Sequence, residues 1–397
     1  MRDEALGERF AALSAQLAAT RGLWTPRPFI ERVLPWEADY PALSAWLRGL
    51  DEAAVQRLEA DGFAAEGAPE PYGSLARACR ELSRVPALSA APLATGGSRK
   101  GVPARKLAQV ERLAAVARPR VGGARGILDW CSGKGHLGRS LSLSTGLPLR
   151  LLERDPALAR AGESRAREEG VACEACVGDA LDPASWELLR AGEAAVALHA
   201  CGALTDTLLR ESTRRGVGVV VVAPCCYHRY QAQAVGAISG QGRSVGLDLP
   251  VDIGRMVTAE VVVARPLHQV LRRQEMAWRL GLDAAIAART GEDRYTTLPS
   301  VSRPVVQLPF AEFCAYFAAS HGLELPEDLG PFEARGWALA RQARALSLVR
   351  GLFRRPLELW LVLDRALSLQ EAGWSVELGT FCEAALTPRN LVLAAAR

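Results

Sequence analysis

Between residues 126 and about 230 the apolar positions fall into short, nearly continuous runs: Ile127–Trp130, Leu149–Glu153, Ala172–Val177, Ala195–His199 and Val217–Ala223. Runs of this length without polar alternation suit strands covered on both faces. The stretches between them, such as Pro156–Glu169 and Asp182–Arg190, carry helical spacing. Strand and helix in regular alternation imply right-handed βαβ units on a parallel sheet. Upstream, Phe10, Leu13 and Leu17 form one helical stripe, and Leu43, Trp46, Leu47 and Leu50 form another after the breaks at Pro35 and Pro41. Residues 1–95 are therefore expected as a helical N-terminal domain, with a small-residue hinge at Ala91–Val102. Residues 96–397 are expected as an α/β domain holding a mostly helical insertion at about 231–370. Within that insertion Gln231–Pro250 is glycine-rich and reads as a flap, while Leu359, Val362, Leu363 and Ala366 mark the buried face of a helix. Trp374–Cys382 and Leu391–Ala396, joined through Thr387-Pro388-Arg389-Asn390, read as a terminal hairpin that completes the sheet.

The first strand ends in an acid, Asp129, and runs into Cys131-Ser-Gly-Lys-Gly135, after which Leu137 and Leu141 begin a helix. Glycines in such a strand–turn–helix corner let backbone amides approach a phosphate or nucleoside closely. Gly133, Gly135 and Gly138 satisfy the dinucleotide form Gly-x-Gly-x-x-Gly, whereas Lys134 is misplaced for a Walker loop. An S-adenosylmethionine site, with its acid at the strand end before Gly-x-Gly, fits better. Glu153 closes the second strand about 20 residues past the turn, where a ribose-binding carboxylate belongs. Val177-Gly178-Asp179-Ala180 closes the third strand where an adenine-contacting acid belongs, and the fourth strand follows at the right interval. Asp129, Gly133 and Gly135 are expected to cradle the methionine part, Glu153 the ribose hydroxyls, and Asp179 with Ala180 the adenine. Cys131, Lys134, Asp155 and His199 are also expected to line the cofactor.

Bulk composition changes this picture little. At 397 residues and 49% hydrophobic content the chain suits two domains, or one α/β domain with large additions. It has no apolar run long enough to span a membrane and no signal-peptide pattern at its start, so a cytoplasmic protein is expected. The nine cysteines are irregularly spaced and suit reduced thiols. Net charge is only +4, but Gly97–Leu128 carries Arg99, Lys100, Arg105, Lys106, Arg112, Arg118, Arg120 and Arg125 against Glu111 alone. Gly336–Leu357 carries Arg341, Arg344, Arg350, Arg354 and Arg355 without an acid. Such runs are ordinarily solvated faces; the first leads into the glycine corner, so an anionic substrate is the competing reading.

Reactive side chains gather in two segments, Leu198-His-Ala-Cys-Gly-Ala-Leu-Thr-Asp206 and Ala223-Pro-Cys-Cys-Tyr-His-Arg-Tyr230. Both follow strands, at the sheet edge where ligands of open parallel sheets bind. Several uses stay open. His199 or His228 would act as a base or orient the acceptor, with Tyr227 stacking on a planar substrate. Cys225 or Cys226 would attack a pyrimidine ring carbon. His199, Cys201, Cys225, Cys226 and His228 would bind zinc, although no paired Cys-x-x-Cys spacing supports a metal assignment. Or the thiols are plain packing groups. Cys173 and Cys176 would point to opposite faces of a strand and are read as core. The Asn/Asp-Pro-Pro signature of adenine amino-methylation is absent.

Asp129-Trp-Cys-Ser-Gly-Lys-Gly-His-Leu-Gly138, Leu198-His-Ala-Cys-Gly202 and Cys225-Cys-Tyr-His228 resemble the methyltransferase domain shared by methyltransferase-like protein 25 and the tRNA acceptor-stem 2′-O-methyltransferases. Leu363-Asp-Arg365, Leu369-Gln-Glu371 and Leu386-Thr-Pro-Arg-Asn390 are similar to the first of these, as is Arg105-Lys-Leu-Ala-Gln-Val110, with Gln109 in place of an acid. Trp24-Thr-Pro-Arg-Pro-Phe29 hints at more upstream. The zinc-finger elements of the tRNA enzymes are not found in the N-terminal region. The resemblance implies a Rossmann-like class I methyltransferase: a seven-stranded, mostly parallel sheet with a terminal antiparallel hairpin, binding S-adenosylmethionine. RNA, as tRNA or rRNA, is the preferred acceptor, favoured by the basic Gly97–Leu128 stretch and the Arg341–Arg355 helix. A protein or small-molecule acceptor, or a catalytically silent S-adenosylmethionine- or RNA-binding scaffold, is the alternative.

Overall fold

The computed structural model describes residues 1, 3–63, 65, 67–88, 92–93, 102–200, 202–230, 234–247, 249–258, 266–292 and 294–397. Most of the expected 91–102 hinge, together with Arg99, Lys100 and Cys201, lies outside these residues, as do positions 231–233 and 248 of the expected flap. Packing divides the chain into two compact units. One comprises Met1–Ala18, Glu81–Ala259 and Arg354–Arg397; the other comprises Ala19–Arg80 and Glu260–Phe353. These units cut across both the 1–95 segment and the 231–370 segment delimited from sequence.

The first unit is built on a seven-stranded sheet. Numbering only its strands, these are β1 (Ile127–Trp130), β2 (Leu149–Glu153), β3 (Cys173–Val177), β4 (Ala194–Leu198), β5 (Val219–Ala223), β6 (Ser375–Thr380) and β7 (Leu391–Ala396). Their order is β3-β2-β1-β4-β5-β7-β6. The first five run parallel, with Ile127 opposite both Leu149 and Ala194 and with Ala194 opposite Val219. β7 enters antiparallel between β5 and β6, setting Ala394 against Val221 and Leu393 against Leu378. The hairpin thus completes the sheet as its apolar pattern implied. β1 is buried along its whole length, and Leu151, Val196, Val221 and Val392 join one core beneath it. β3 is the edge strand, and both Cys173 and Cys176 are half-buried rather than core. An edge position leaves part of each face without a covering layer.

Helices Ala104–Val121, His136–Thr145 and Pro156–Glu168 pack around the sheet. The first buries Val110, Leu113, Ala114 and Val116, the side of its amphipathic pattern opposite Arg118. The helix Asp3–Ala19 also belongs mainly to this unit: Phe10 stacks on Trp360, ring centroids 5.4 Å apart, and the Trp360 indole donates to the Ser14 hydroxyl at 2.9 Å. Trp360 lies in the helix Arg354–Glu371, which therefore serves the sheet unit although sequence placed it in the insertion.

The second unit has its own aromatic core of Trp278, Phe310, Phe313 and Phe317. Its helix Gly330–Leu352 spends its arginines internally. Arg341 donates to the Leu50 carbonyl at 2.5 Å, Arg344 pairs with Glu52 at 2.5 Å and Glu59 at 2.7 Å, and Arg350 donates to the Trp24 carbonyl at 2.8 Å. The expectation of a cationic RNA-facing run at Arg341–Arg355 is corrected on this point. Those guanidiniums satisfy carbonyls and carboxylates of neighbouring helices, which is what buried arginine heads require.

Trp360 is fully buried and carries both a stacking and a hydrogen-bonding contact. Trp360→Ala is expected to lower stability by about 3–5 kcal/mol, read from urea unfolding followed by circular dichroism.

Candidate functional site

The glycine corner leaves β1 through residues in the left-handed region: Cys131 at φ 59°, Gly133 at 58° and Gly135 at 66°. Cys131 accepts this conformation without being glycine, a strained arrangement typical of ligand-facing turns. At Gly135 a Cβ would also stand 2.8 Å from the Leu151 methyl carbons. At Gly138, one turn into the helix His136–Thr145, it would stand 2.6 Å from Leu149 Cδ1 and 2.9 Å from Asp129 Cβ. Helix and sheet approach this closely only because both side chains are absent.

Two carboxylates fix the turn. Asp129, at the end of β1, is 3% exposed and accepts the Gly138 N–H at 2.9 Å. Burial raises its pKa to about 7, against the opposing pull of the Gly138 amide and the charges of Lys106 and Arg139. Through this contact Asp129 braces the start of the helix His136–Thr145. Glu153, at the end of β2, accepts the Gly133 N–H at 2.8 Å through Oε2 and the Asp155 N–H at 3.0 Å through Oε1. Each carboxylate oxygen has two acceptor sites, so Glu153 keeps capacity for two donors from a ligand while it holds the loop. Asp155 caps the helix Pro156–Glu168, accepting the N–H groups of Ala157 at 2.7 Å and Leu158 at 3.3 Å. That is a structural duty, unlike the ligand contact expected of it. Lys134 and Cys131 are half-buried in the turn. Asp179, beyond β3, is partly exposed, accepts the Leu181 N–H at 3.0 Å and stands 3.9 Å from Arg154. Ala180 beside it is buried, and its carbonyl accepts from the Trp186 indole at 3.2 Å.

Past β4 the chain turns sharply at His199, which is in the left-handed region at φ 72°. Its backbone N–H donates to the Ala223 carbonyl at 3.2 Å, and its ring Nε2 is 3.0 Å from Gln109 Oε1. Burial, followed by the charges of Arg389, Lys106 and Arg105, lowers its pKa, while Cys226 opposes them. Past β5, the sulfurs of Cys225 and Cys226 lie 3.5 Å apart, well outside a disulfide bond. His228 Nδ1 is 3.2 Å from the Thr258 hydroxyl. Tyr227 is 4% exposed, and its hydroxyl donates to Glu358 at 3.4 Å. Burial pushes the Tyr227 pKa up, and Glu358 adds to the rise. The expected stacking platform is corrected: its ring is enclosed by protein and presents no open face to a substrate. Among the described residues no three His, Cys, Asp or Glu side chains converge as a metal site; Cys201 lies outside them.

Residues assigned no role in the site from sequence hold the mouth in shape. Arg365 makes a bidentate pair with Asp206, both contacts 3.0 Å, and also reaches Asp364 and the Tyr230 hydroxyl at 3.0 Å. Asp364, fully buried, accepts from the Ile238 N–H at 2.8 Å and from the Ser239 hydroxyl at 2.6 Å. Arg355 joins Glu358 at 2.6 Å to Asn390 at 2.8 Å. The signal for them was present, since Glu358, Asp364 and Arg365 sit in the otherwise apolar stretch 356–367 of the helix Arg354–Glu371. Of the first basic run, Arg105 and Lys106 are exposed at the start of the helix Ala104–Val121. Arg118 and Arg120 lie roughly 18 Å further along it, and Arg120 is bound to Glu377.

A sheet ordered β3-β2-β1-β4-β5-β7-β6, with a glycine corner after β1, is a Rossmann-like methyltransferase architecture. Residues 105–233 match a family model described as a methyltransferase domain. The domain is of the S-adenosylmethionine-dependent class, and S-adenosylmethionine is its cofactor. Solved structures to which the chain is similar include geranyl diphosphate C-methyltransferase from Streptomyces coelicolor, at 18% identity over 42% of this chain and 69% of that one, TM-score 0.24. The tRNA (uracil-54, C5)-methyltransferase of Pyrococcus abyssi shows 20% identity over 28% of each chain, TM-score 0.23. Precorrin 8W decarboxylase of Methanobacterium thermoautotrophicum shows 20% identity over 28% of this chain and 60% of that one, TM-score 0.24. The chain thus spans less than two thirds of the length of the last two, and likenesses at these scores carry no argument about substrate. No helix among the described residues is long and apolar enough to cross a membrane.

Asp129 gives the site a pH signature. Burial pushes its carboxyl up to about 7 from the usual 3.8, so between these values the native state holds a proton that the unfolded chain has released. The resulting stabilisation is complete below about pH 4, falls by about 1.4 kcal/mol per pH unit up to about pH 7, and is lost above that. His136, held down to about 4 by burial and by Arg139, works in the opposite sense over much of the same window. The comparison with Asp129→Asn therefore isolates the acid. Between pH 5 and pH 7.5 the stability of the neutral variant relative to the wild type is expected to rise by about 2–3 kcal/mol, measured by denaturant titration at both values. A difference independent of pH would contradict the buried, protonated carboxyl.

Proposed function

We propose that the protein transfers a methyl group from S-adenosylmethionine to RNA, in the tRNA or rRNA class. The observation that carries the reading is the joining of two cationic segments: Arg105, beside Lys106, donates to the Leu386 carbonyl at 2.8 Å and so brings the helix start to the turn that holds Arg389. Phosphates of a polynucleotide are the natural partners of such a set. Arg105 and Lys106 come from the helix before β1 and Arg389 from the turn before β7, so the cations gather by folding and not merely by local sequence. The likeness of the His199 and Cys225–His228 segments to the tRNA acceptor-stem 2′-O-methyltransferases supports the same acceptor class.

When bound, the cofactor supplies an electrophilic methyl on a sulfonium. The protein's part is to hold, align and manage a proton. Amides of the Gly133–Gly135 turn would receive the methionine carboxylate. Glu153 would accept the ribose hydroxyls with the capacity left over from the loop, and Asp179 with Ala180 would meet the adenine. Lys106, Arg105 and Arg389 would seat a phosphate beside the acceptor, and His199, its pKa lowered by burial and then by those same charges, would accept its proton. His228, with Cys226 beside it, borders the acceptor side.

The direct test is tritiated-methyl transfer to total RNA, with RNase and protease controls. RNase-sensitive label is expected; label sensitive only to protease would overturn the RNA reading. Arg105→Ala combined with Lys106→Ala is expected to weaken RNA binding by about tenfold or more at moderate salt and to flatten the log–log salt dependence by about 1–2 units. Its S-adenosylmethionine affinity should stay within about twofold of wild type, since surface charges near the site act weakly through solvent.

A further inference from the structure

Gln109 is 7% exposed in a helix whose other inward positions, Val110, Leu113 and Ala114, are apolar. A buried amide needs a partner, and its side-chain oxygen finds one in His199 Nε2 at 3.0 Å. His199 is thereby held at two points. Its backbone N–H is tied to Ala223 at the end of β5, and its ring is tied to a helix on another part of the sheet. The left-handed backbone at His199, which costs a non-glycine residue on the order of 1 kcal/mol or more, is kept in place by this double attachment.

We propose that Gln109 is a positioning residue that fixes His199 as the Nε2–H tautomer and so aims Nδ1 as the acceptor of the substrate's proton. An amide oxygen can only accept, so the ring nitrogen facing it must carry the proton and the basic lone pair belongs to Nδ1. The inference deepens the methyl-transfer reading and rests on it. In the step it describes, a lone pair of the acceptor oxygen or nitrogen forms the bond to the methyl carbon. The carbon–sulfur bond breaks with its electron pair passing to sulfur, and the acceptor's proton passes to Nδ1, giving methylated RNA, S-adenosylhomocysteine and an imidazolium that discharges to water. A carboxylate at position 109 would favour the charged ring and remove the base; an amide accepts the same hydrogen bond without that bias. The groups facing the ring act in the same direction. Lys106 and Arg105 from the Gln109 helix and Arg389 from the turn before β7 disfavour the imidazolium, and Cys226 from the segment after β5 opposes them.

The test compares wild type, Gln109→Glu and Gln109→Leu in the full-length protein. Imidazole nitrogen shifts are followed by NMR across pH, with His199 assigned by loss of its signals in His199→Gln. The wild type is expected to show the Nε2–H tautomer through neutral pH. Gln109→Glu should raise the titration midpoint of His199 by about one unit or more and move the acid limb of single-turnover methyl transfer with it, the rate recovering at alkaline pH. Gln109→Leu should lose the tautomer preference while binding S-adenosylmethionine as the wild type does. An unmoved midpoint and acid limb in a Gln109→Glu protein that still binds S-adenosylmethionine would overturn the inference, as would an unchanged tautomer in Gln109→Leu. A wild type that labels no RNA would instead refute the methyl-transfer reading, and the NMR titration would still decide the role of Gln109.

Discussion

A glycine turn has no side chains with which to fix itself, and in this protein two carboxylates from adjacent strands do that work. Asp129 holds the Gly138 amide from beneath, and Glu153 holds the Gly133 amide from the side. Carboxyl oxygens readily accept backbone N–H groups, and the two act on opposite ends of the same loop. The close packing of Gly135 on Leu151 and of Gly138 on Leu149 then settles how near the helix His136–Thr145 comes to the sheet. Every cofactor-side position is placed relative to this turn: Glu153 through the hydrogen bond itself, and Asp179 through the register of β2 with β3.

The opposite side of the mouth is organised by buried charge. Arg365 satisfies Asp206, Asp364 and Tyr230 together, and Asp364 in turn takes backbone and hydroxyl donors from Ile238 and Ser239. Buried ions are costly unless their hydrogen bonds are complete, and here the helix after β4, the segment after β5 and the helix Arg354–Glu371 each supply part of the set. The Cys225–His228 segment is thereby anchored at both ends, by Glu358 on Tyr227 and by Asp206 on Tyr230. Near them Arg105 donates to the Leu386 carbonyl and Arg389 to the Thr258 carbonyl, each at 2.8 Å, and Asp179 is exposed beyond β3. Such a surface suits an anionic acceptor next to a cationic cofactor.

Strands were legible in the sequence because a sheet covered on both faces imposes uninterrupted apolar runs, and the corner was legible because its glycines and acids recur at fixed spacing. The side-chain duties within it were less so. Asp129 and Asp155 are acids at expected positions whose oxygens turn inward to backbone amides, and periodicity does not report which way a carboxylate points. Tyr227 looked like a stacking ring because it sits among reactive residues; only the packing of Glu358 against it reveals its burial. The arginines of Gly330–Leu352 looked like a nucleic-acid face because their partners, Glu52, Glu59 and the Trp24 carbonyl, are hundreds of residues away in the chain. Gln109 carried no chemical signal of its own, and it acquires a role only when folding sets it 3.0 Å from His199.

The central claim is that the turn between Asp129 and Glu153 is where S-adenosylmethionine binds, and calorimetric titration of the cofactor into wild type and Glu153→Gln tests it most directly. The account predicts saturable one-to-one binding by the wild type and an affinity at least about tenfold lower in the variant, the loss of one charged hydrogen-bond acceptor for the ribose. Equal affinity in the two proteins, or no binding by a folded wild type, would contradict it.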